Sequence, residues 1–578
     1  LKTILLINGS DHLYQDPEFT AMLKKVQTAF PEWEIKNGSI EDYANVALAK
    51  AEKADLKEVV GELRDFRYGP DPTATTSTRY KLKLAIFHAL QEIERYTEPL
   101  NTIAHQKGET YPGELLTYAW KNILKSLGHD AITGCSVDEV MDDIARYIKD
   151  AKTIADRLSE IAFEKLSQYL STEKLVGNEQ YLCLFNPLQS NYTGVVDAVI
   201  HVENQREITD LELYDENRVA VPYEYLDQWE DVITREFKYL SKEKIQRKCF
   251  RIRFLAQDVP ALGFKNYIVK PVAQIEKRQA ELYVRRQYSD KFIENEFYRV
   301  TPDQNGSVAV LDKQNNREYR DLNTLISRGE IGDEYQHVSP LLDEHVFATL
   351  RGVSVIKNSP ISSTLKIRSL LSIPKAADEH FLGRHHEDVD CPIVTYVTLY
   401  QGCPRIDFKV EVENNGLNHM LTVKFPTSFV NAEDFSYISF DEVKRSNNIY
   451  DFDEELKSTQ SFLKPLQHYA GIQGDDGALY LMTKGLYEYS TKASVNGMDL
   501  YLTLLRSTSH MFHGIPISWL SGQHSTTPIV ETEGSRELGK HTFYYSLSFG
   551  EGNINEIWQQ YAYPMRSFDL RKKQGAVA

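Results

Sequence analysis

Four things are scarce or missing in this sequence, and each absence removes a class of function. There is no basic excess: 66 Lys and Arg stand against 83 Asp and Glu, for a net charge of −17. Nucleic acids and anionic membranes both need a basic surface, so neither is an expected partner. No apolar run approaches the ~18–20 residues needed to cross a bilayer. Cysteine is sparse, with Cys135, Cys183, Cys249, Cys391 and Cys403 scattered and never in a CxxC pair. That argues against a disulfide framework and a thiolate zinc site, and makes a reducing cytoplasm the expected location. Asn-x-Ser/Thr matches at Asn8, Asn37, Asn191 and Asn305 are too short a signal to change this. Internal repeats and low-complexity tracts are also missing.

What is present is an ordinary globular composition, 42% hydrophobic and 26% charged, on 578 residues, which implies two to four domains. The 34 tyrosines are numerous. A tyrosine ring suits sugar faces, but equally suits sheet surfaces and interfaces. The chain opens directly inside the apolar run Leu1–Ile7, an abrupt start that leads us to expect further sequence upstream. A signal peptide there is not excluded.

Residues 1–38 carry an α/β texture. Ile4–Ile7 has the continuous apolar character of a buried parallel strand, ending at Asn8-Gly9-Ser10-Asp11-His12. Polar residues at such strand ends are where α/β enzymes place chemistry. A helix is expected from about Pro17, and a second strand at Trp33–Ile35. From 39 to 175 the pattern is helical. Ser39 and Asp42 form a capping-box pattern for a helix to Leu63. Leu82, Ile86, Leu90 and Ile93 make an apolar stripe that should end near Pro99. A third helix is expected over Pro112–Leu127, and a long fourth from Ser136 through Val140, Ile144, Ile148, Ala151, Ala155, Leu158, Ala162 and Leu166. The stripes predict a helical bundle.

Beyond 175 the texture is β. Gly194–Val202, Gly263–Val272, Glu296–Thr301, Val394–Tyr400, Ile406–Val412, Tyr480–Thr483, Leu500–Leu505 and Phe543–Phe549 cluster or alternate β-branched and aromatic residues. Turn signals such as Asn305-Gly306 and Asn415-Gly416 separate them. Antiparallel sandwiches over 176–275 and 276–578 are expected, with 430–470 polar enough to be loop.

The segment Gly128-His129-Asp130-Ala131-Ile132-Thr133-Gly134-Cys135-Ser136-Val137-Asp138-Glu139-Val140 is the most informative. One helix should end at Gly128 and the next be capped by Ser136 with Glu139 three residues on, leaving His129 and Asp130 in a short loop. An imidazole there can ligate a metal, and the adjacent carboxylate can bind a polar ligand. Read alone, the segment is more simply a helix junction with a hydrogen-bonded histidine. However, it resembles the His-Asp-(Ser/Ala)-Ile-x-Gly-(Cys/Thr) signature of glycoside hydrolase family 38 α-mannosidases, in their bacterial form. Shorter stretches are similar to that family too: Asn8–His12, Arg79-Tyr80-Lys81, Leu184–Pro187, Glu294–Tyr298, Gly332-Asp333-Glu334-Tyr335, Phe425-Pro426-Thr427, Lys484–Tyr489 and Leu502–Ser507.

The resemblance implies a multidomain α+β chain: the end of a β/α-barrel-like catalytic domain (1–38), a three- to four-helix bundle (39–175), then a small (176–275) and a large (276–578) β-sandwich. It implies that His129 is a ligand of one zinc ion, that Asp130 binds mannose beside the metal, and that Asp11 is the general acid/base. Tyr335 and Arg506 become substrate-binding candidates. For Asp11 a turn cap, and for Tyr335 a sheet-surface role, stay open.

The implied reaction is retaining hydrolysis of terminal α-mannosides, with two carboxylates about 5–5.5 Å apart. The family's upstream His-x-Asp pair and nucleophilic Asp have no counterpart before His129, so the resemblance covers a C-terminal part lacking most of the catalytic domain. A homo-oligomer such as a dimer is the expected assembly. The alternative is an inert fragment that binds carbohydrate or mediates dimerisation. Asn418-His419-Met420 and Met141 depart from the family pattern and leave fine specificity open. His385-His386-Glu387-Asp388 is read as a solvated polar loop, because adjacent side chains diverge in extended chain.

Overall fold

The computed structural model describes residues 3–7, 14, 16–51, 72–169, 174–203, 207–236, 242–273, 291–445, 462–495, 497–512, 529–550 and 552–571. The chain divides into two compact units, Leu1–Arg64 and Asp65–Ala578.

In the first unit, α1 (Phe19–Ala29) and α2 (Ile40–Ala51) form where expected. Ser39 and Asp42 make the capping box: the Ser39 N–H donates to Asp42 Oδ2 at 2.8 Å, and the Asp42 N–H donates to Ser39 Oγ at 3.1 Å. The Ser39 donors hold the Asp42 carboxyl below its usual range. Neither helix buries a side chain. The run Ile4–Ile7 is exposed and not a strand, and Trp33–Ile35 is not one either. A strand requires a neighbour to accept its backbone donors, and none pairs with these residues among those described. Because α2 groups with the first unit, the helices that pack as a bundle begin at Tyr80, not at residue 39.

The second unit starts with a 3₁₀ turn, Pro72–Ser77, and four main helices follow: α3 (Tyr80–Glu92), α4 (Glu98–Gln106), α5 (Gly113–Ser126) and the 29-residue α7 (Asp138–Leu166), with the short α6 (His129–Thr133) between the last two. The helix expected to stop near Pro99 runs on. A π turn over Ile93–Thr97 joins α3 to α4, and the Glu98 N–H reaches back five residues to the Ile93 carbonyl. The widened turn accommodates Pro99 in the first turn of α4, where a missing N–H is tolerated. The predicted stripe is the bundle core: Ile86, Ile93, Ile123, Ile144 and Ile148 are buried together. Ala151, Ala155 and Ala162 are fully buried, so small side chains let α7 lie close to its neighbours.

The β part holds two sandwiches. The smaller pairs a three-stranded sheet (Tyr192–Glu203, Lys242–Val259, Tyr223–Glu236) with a four-stranded one. Its fourth strand is C-terminal: Arg566–Arg571 pairs antiparallel with Gln180–Phe185, with Cys183 opposite Phe568. The preceding helix α8 (Ile554–Ala562), capped by Asn553, buries Trp558 and Tyr561 in the same core. The end of the chain therefore completes the small sandwich, and the expected division at 275/276 does not hold there. The larger sandwich packs a six-stranded sheet and a nine-stranded one around a core that includes Leu365, Val397, Phe408, Leu421, Leu502 and Tyr545. All eight predicted strand stretches overlap strands, although Glu296, Phe297 and Gly263 lie just before theirs. Within the expected loop 430–470, strands form at Glu433–Ile438, Asp441–Arg445 and Tyr469–Gly474, paired with one another in the nine-stranded sheet, and the polar Asp434 and Lys464 are accommodated inside by pairing at 2.8 Å.

Candidate functional site

The site is assembled where the bundle meets the six-stranded sheet. His129 and Asp130 open α6, with Gly128 as the N-cap. They thus lie on a short helix and not in a loop. Their side chains are 93% and 60% exposed, and His129 Nε2 lies 3.5 Å from Asp130 Oδ2. This is a histidine presented to solvent, unlike one satisfied inside a helix junction. Beneath it the support is rigid. The Thr133 hydroxyl donates to the His129 carbonyl at 2.5 Å. The fully buried Lys83 donates to the carbonyls of Thr78 (2.6 Å) and Thr133 (3.0 Å), tying α6 to α3. Burial pulls the Lys83 ammonium down to about 8.

The capping expected from Ser136 does not form. Val137 occupies the N-cap of α7 without a side-chain bond. Asp138, one residue later, receives Arg79 Nη1 at 2.8 Å and the backbone N–H groups of Glu533 (2.7 Å) and Gly534 (3.1 Å). Burial acts to raise its carboxyl, but Arg79 and the two amides prevail and hold it low. The α7 N-terminus is thus joined to the C-terminal domain by a long-range carboxylate that spacing rules cannot detect.

Tyr335 approaches from the β side. Its hydroxyl lies 3.5 Å from the Cys135 carbonyl, five residues after Asp130. Burial first, then the nearby Cys135 thiol and Asp130 carboxylate, pushes the phenol above its ordinary value, so Tyr335 keeps its proton and can donate a hydrogen bond. The Asp333 carboxylate accepts from the N–H groups of Tyr335 and Gln336, both at 3.0 Å, and folds the loop. Gly332 is required by close approach: a Cβ there would meet the Gln336 carbonyl oxygen at 2.0 Å.

Arg506 is the candidate that the structure reassigns. It is fully buried, and its guanidinium donates to the carbonyls of Ala74 (3.0 Å), Glu334 (2.9 Å), Gln336 (3.3 Å) and Asp333. Its Nη1 also lies 3.5 Å from Glu330, which is paired in turn with His337 at 2.6 Å. A side chain enclosed this way faces protein on all sides and not solvent. It sets the floor on which the Tyr335 loop rests. Asp11 lies outside the described residues.

Zinc centres take three or four protein ligands. Among the described residues no three His, Cys, Asp or Glu side chains converge as a metal group. His129 and Asp130 are an incomplete donor pair, so the described residues alone do not make a zinc site. His385 and His386 do not diverge as expected: their rings stack with centroids 4.3 Å apart, in a bend just before the strand that starts at Asp388. The five cysteines are buried and unpaired, and burial pushes the Cys135 thiol up to about 12. No helix among the described residues is long and apolar enough to cross a membrane.

The chain thus combines a helical bundle, two antiparallel sandwiches and an exposed His-Asp pair on the bundle's short helix α6. Residues 73–166 match the alpha mannosidase middle domain, and residues 293–511 match the glycosyl hydrolases family 38 C-terminal domain. The chain belongs to glycosyl hydrolase family 38, as its middle and C-terminal part. A protein of Halalkalibacterium halodurans, provisionally named a mannosylglycerate hydrolase, is 24% identical over 88% of this chain, which spans 59% of that protein's length. The crystal structure of an alpha-mannosidase from Enterococcus faecalis V583 superposes with a TM-score of 0.81 at 21% identity, covering 96% of this chain and 64% of that one. A second Enterococcus faecalis structure, of a protein in the same family, gives 0.79 at 22% identity, covering 99% and 67%.

Proposed function

We propose that this chain is part of a retaining, zinc-dependent α-mannoside hydrolase, acting on terminal α-D-mannosides of oligosaccharides or of conjugates such as mannosylglycerate. One observation carries this reading: His129 and Asp130 stand exposed on a helix that is fixed from below, with the Tyr335 hydroxyl against the Cys135 carbonyl at the end of the same segment. Asp130 accepts from sugar hydroxyls and Tyr335 donates to a sugar or leaving-group oxygen, while Asp11 is the acid/base assigned from sequence. The nucleophile, and the partners His129 would need to hold zinc, come from outside the described residues. Cytoplasmic residence and dimerisation belong to the same proposal and rest on the sequence.

The test is hydrolysis by the full-length protein of aryl α- and β-glycosides and of mannosylglycerate, with the anomer of the first product followed by NMR. Release from α-mannosides with retained configuration is expected. Saturable mannose binding without turnover would replace this proposal with the carbohydrate-binding alternative.

A further inference from the structure

Arg79 is backbone-strained and over-connected, and neither property is needed to start a helix. It sits at the N-cap of α3 with φ of 45°, a left-handed conformation uncommon for a residue with a Cβ. Strain of that kind persists where the surroundings impose it. Its side chain is only 8% exposed. Nε donates to the Gly134 carbonyl at 2.9 Å, and Nη2 to the Ser136 carbonyl at 3.0 Å. Nη1 pairs with Asp138 at 2.8 Å, and Nη2 with Glu334 at 2.9 Å. One planar cation therefore binds the segment just after His129–Asp130 and also the residue just before Tyr335.

We infer that Arg79 is a positioning residue that sets the gap between the His129–Asp130 helix and the Tyr335 hydroxyl, and so the fit of the sugar between them. The inference rests on the function proposed above. Each end of the clamp is also anchored elsewhere. Asp138 accepts two amides from the 533–534 turn, and Glu334 accepts from Thr532 Oγ1 at 3.1 Å. The Glu533–Gly534 turn is held to the clamp so closely that a Cβ at Gly534 would meet Arg79 Nη1 at 2.3 Å and Asp138 Oδ1 at 2.6 Å. Four acceptors in a fixed plane suit a guanidinium and not an ammonium, so Arg79→Lys keeps the charge and loses the geometry.

The test uses the full-length protein with Arg79→Lys, Arg79→Met and Gly534→Ala. Misplacing a binding group by about 1 Å costs up to about 100-fold in turnover. Arg79→Met should approach that loss in kcat, Arg79→Lys should lose roughly tenfold, and Gly534→Ala should fall between parent and Arg79→Met. All should fold by circular dichroism. Amide exchange should rise at Gly134–Asp138 and at Asp333–Gln336 together, and guanidinium ion should partly restore turnover to Arg79→Met. If Arg79→Met does not fold, the other two variants carry the test. Parental kcat in folded Arg79→Lys and Gly534→Ala overturns the inference. If the parent itself hydrolyses no α-mannoside, the proposed function fails. Exchange then decides the clamp: parental protection at both segments in Arg79→Lys sinks it.

Discussion

His129 and Arg506, both candidates from the sequence, have opposite surroundings. His129 is 93% exposed, with a single weak side-chain contact. Arg506 is fully enclosed, with every arm of its guanidinium occupied by the Ser77 hydroxyl, by backbone carbonyls or by Glu330. The first side chain is free to meet a ligand and contributes little to folding. The second faces protein on all sides and holds the loop that carries Tyr335. Under the proposed function an exposed rim and an interior floor are divided between different residues, and stability and activity should be separable along that division.

The strongest way to break the contrast is Arg506→Met. It strands several buried carbonyls and leaves Glu330 with one fewer partner. A loss of about 3–5 kcal/mol is expected for breaking a buried charge network, read as a lowered urea midpoint. An unchanged midpoint would mean that the floor does not depend on Arg506.

The floor also has a pH signature. His419, in the six-stranded sheet, is buried neutral: Nε2 donates to Asn414 at 2.9 Å, and Nδ1 accepts from Ser327 at 3.2 Å. Burial, then the charge of Arg384, pulls its pKa down to about 3, while Glu330 acts weakly the other way and His541 adds to the depression. The folded value lies below the unfolded one, so the stability it contributes is full above about pH 6.5 and lost as pH falls. His419→Asn should remove this dependence. The gap in stability between parent and variant should narrow by at most about 1.4 kcal/mol per pH unit from pH 6.5 downwards. A gap that stays constant to pH 4 would contradict a neutral buried His419.

Much of this was legible before the structure. Stripes such as Ile86, Ile93, Ile144 and Ile148 report core directly, because a 3.6-residue period allows one apolar face. The eight β stretches were equally plain. What escaped the sequence was non-local. Pro99 is carried by a π turn, Asp138 is satisfied by a turn almost 400 residues away, and Ile4–Ile7 finds no strand partner among the described residues. Arg506 shows the same limit: its motif marked it as a substrate-binding candidate, while its complete enclosure by protein is a non-local property. Arg79 was visible in a motif, while its left-handed backbone and four acceptors were not.

The most direct test of the account is His129→Ala in the full-length protein, with thermal unfolding and α-mannoside hydrolysis measured on the same preparation. An exposed side chain away from packing should change stability by less than about 0.5 kcal/mol. The account predicts an unmoved melting temperature and hydrolysis reduced at least about 100-fold, as for loss of a group at the reacting sugar. Parental hydrolysis, or activity lost only in proportion to stability, would contradict it.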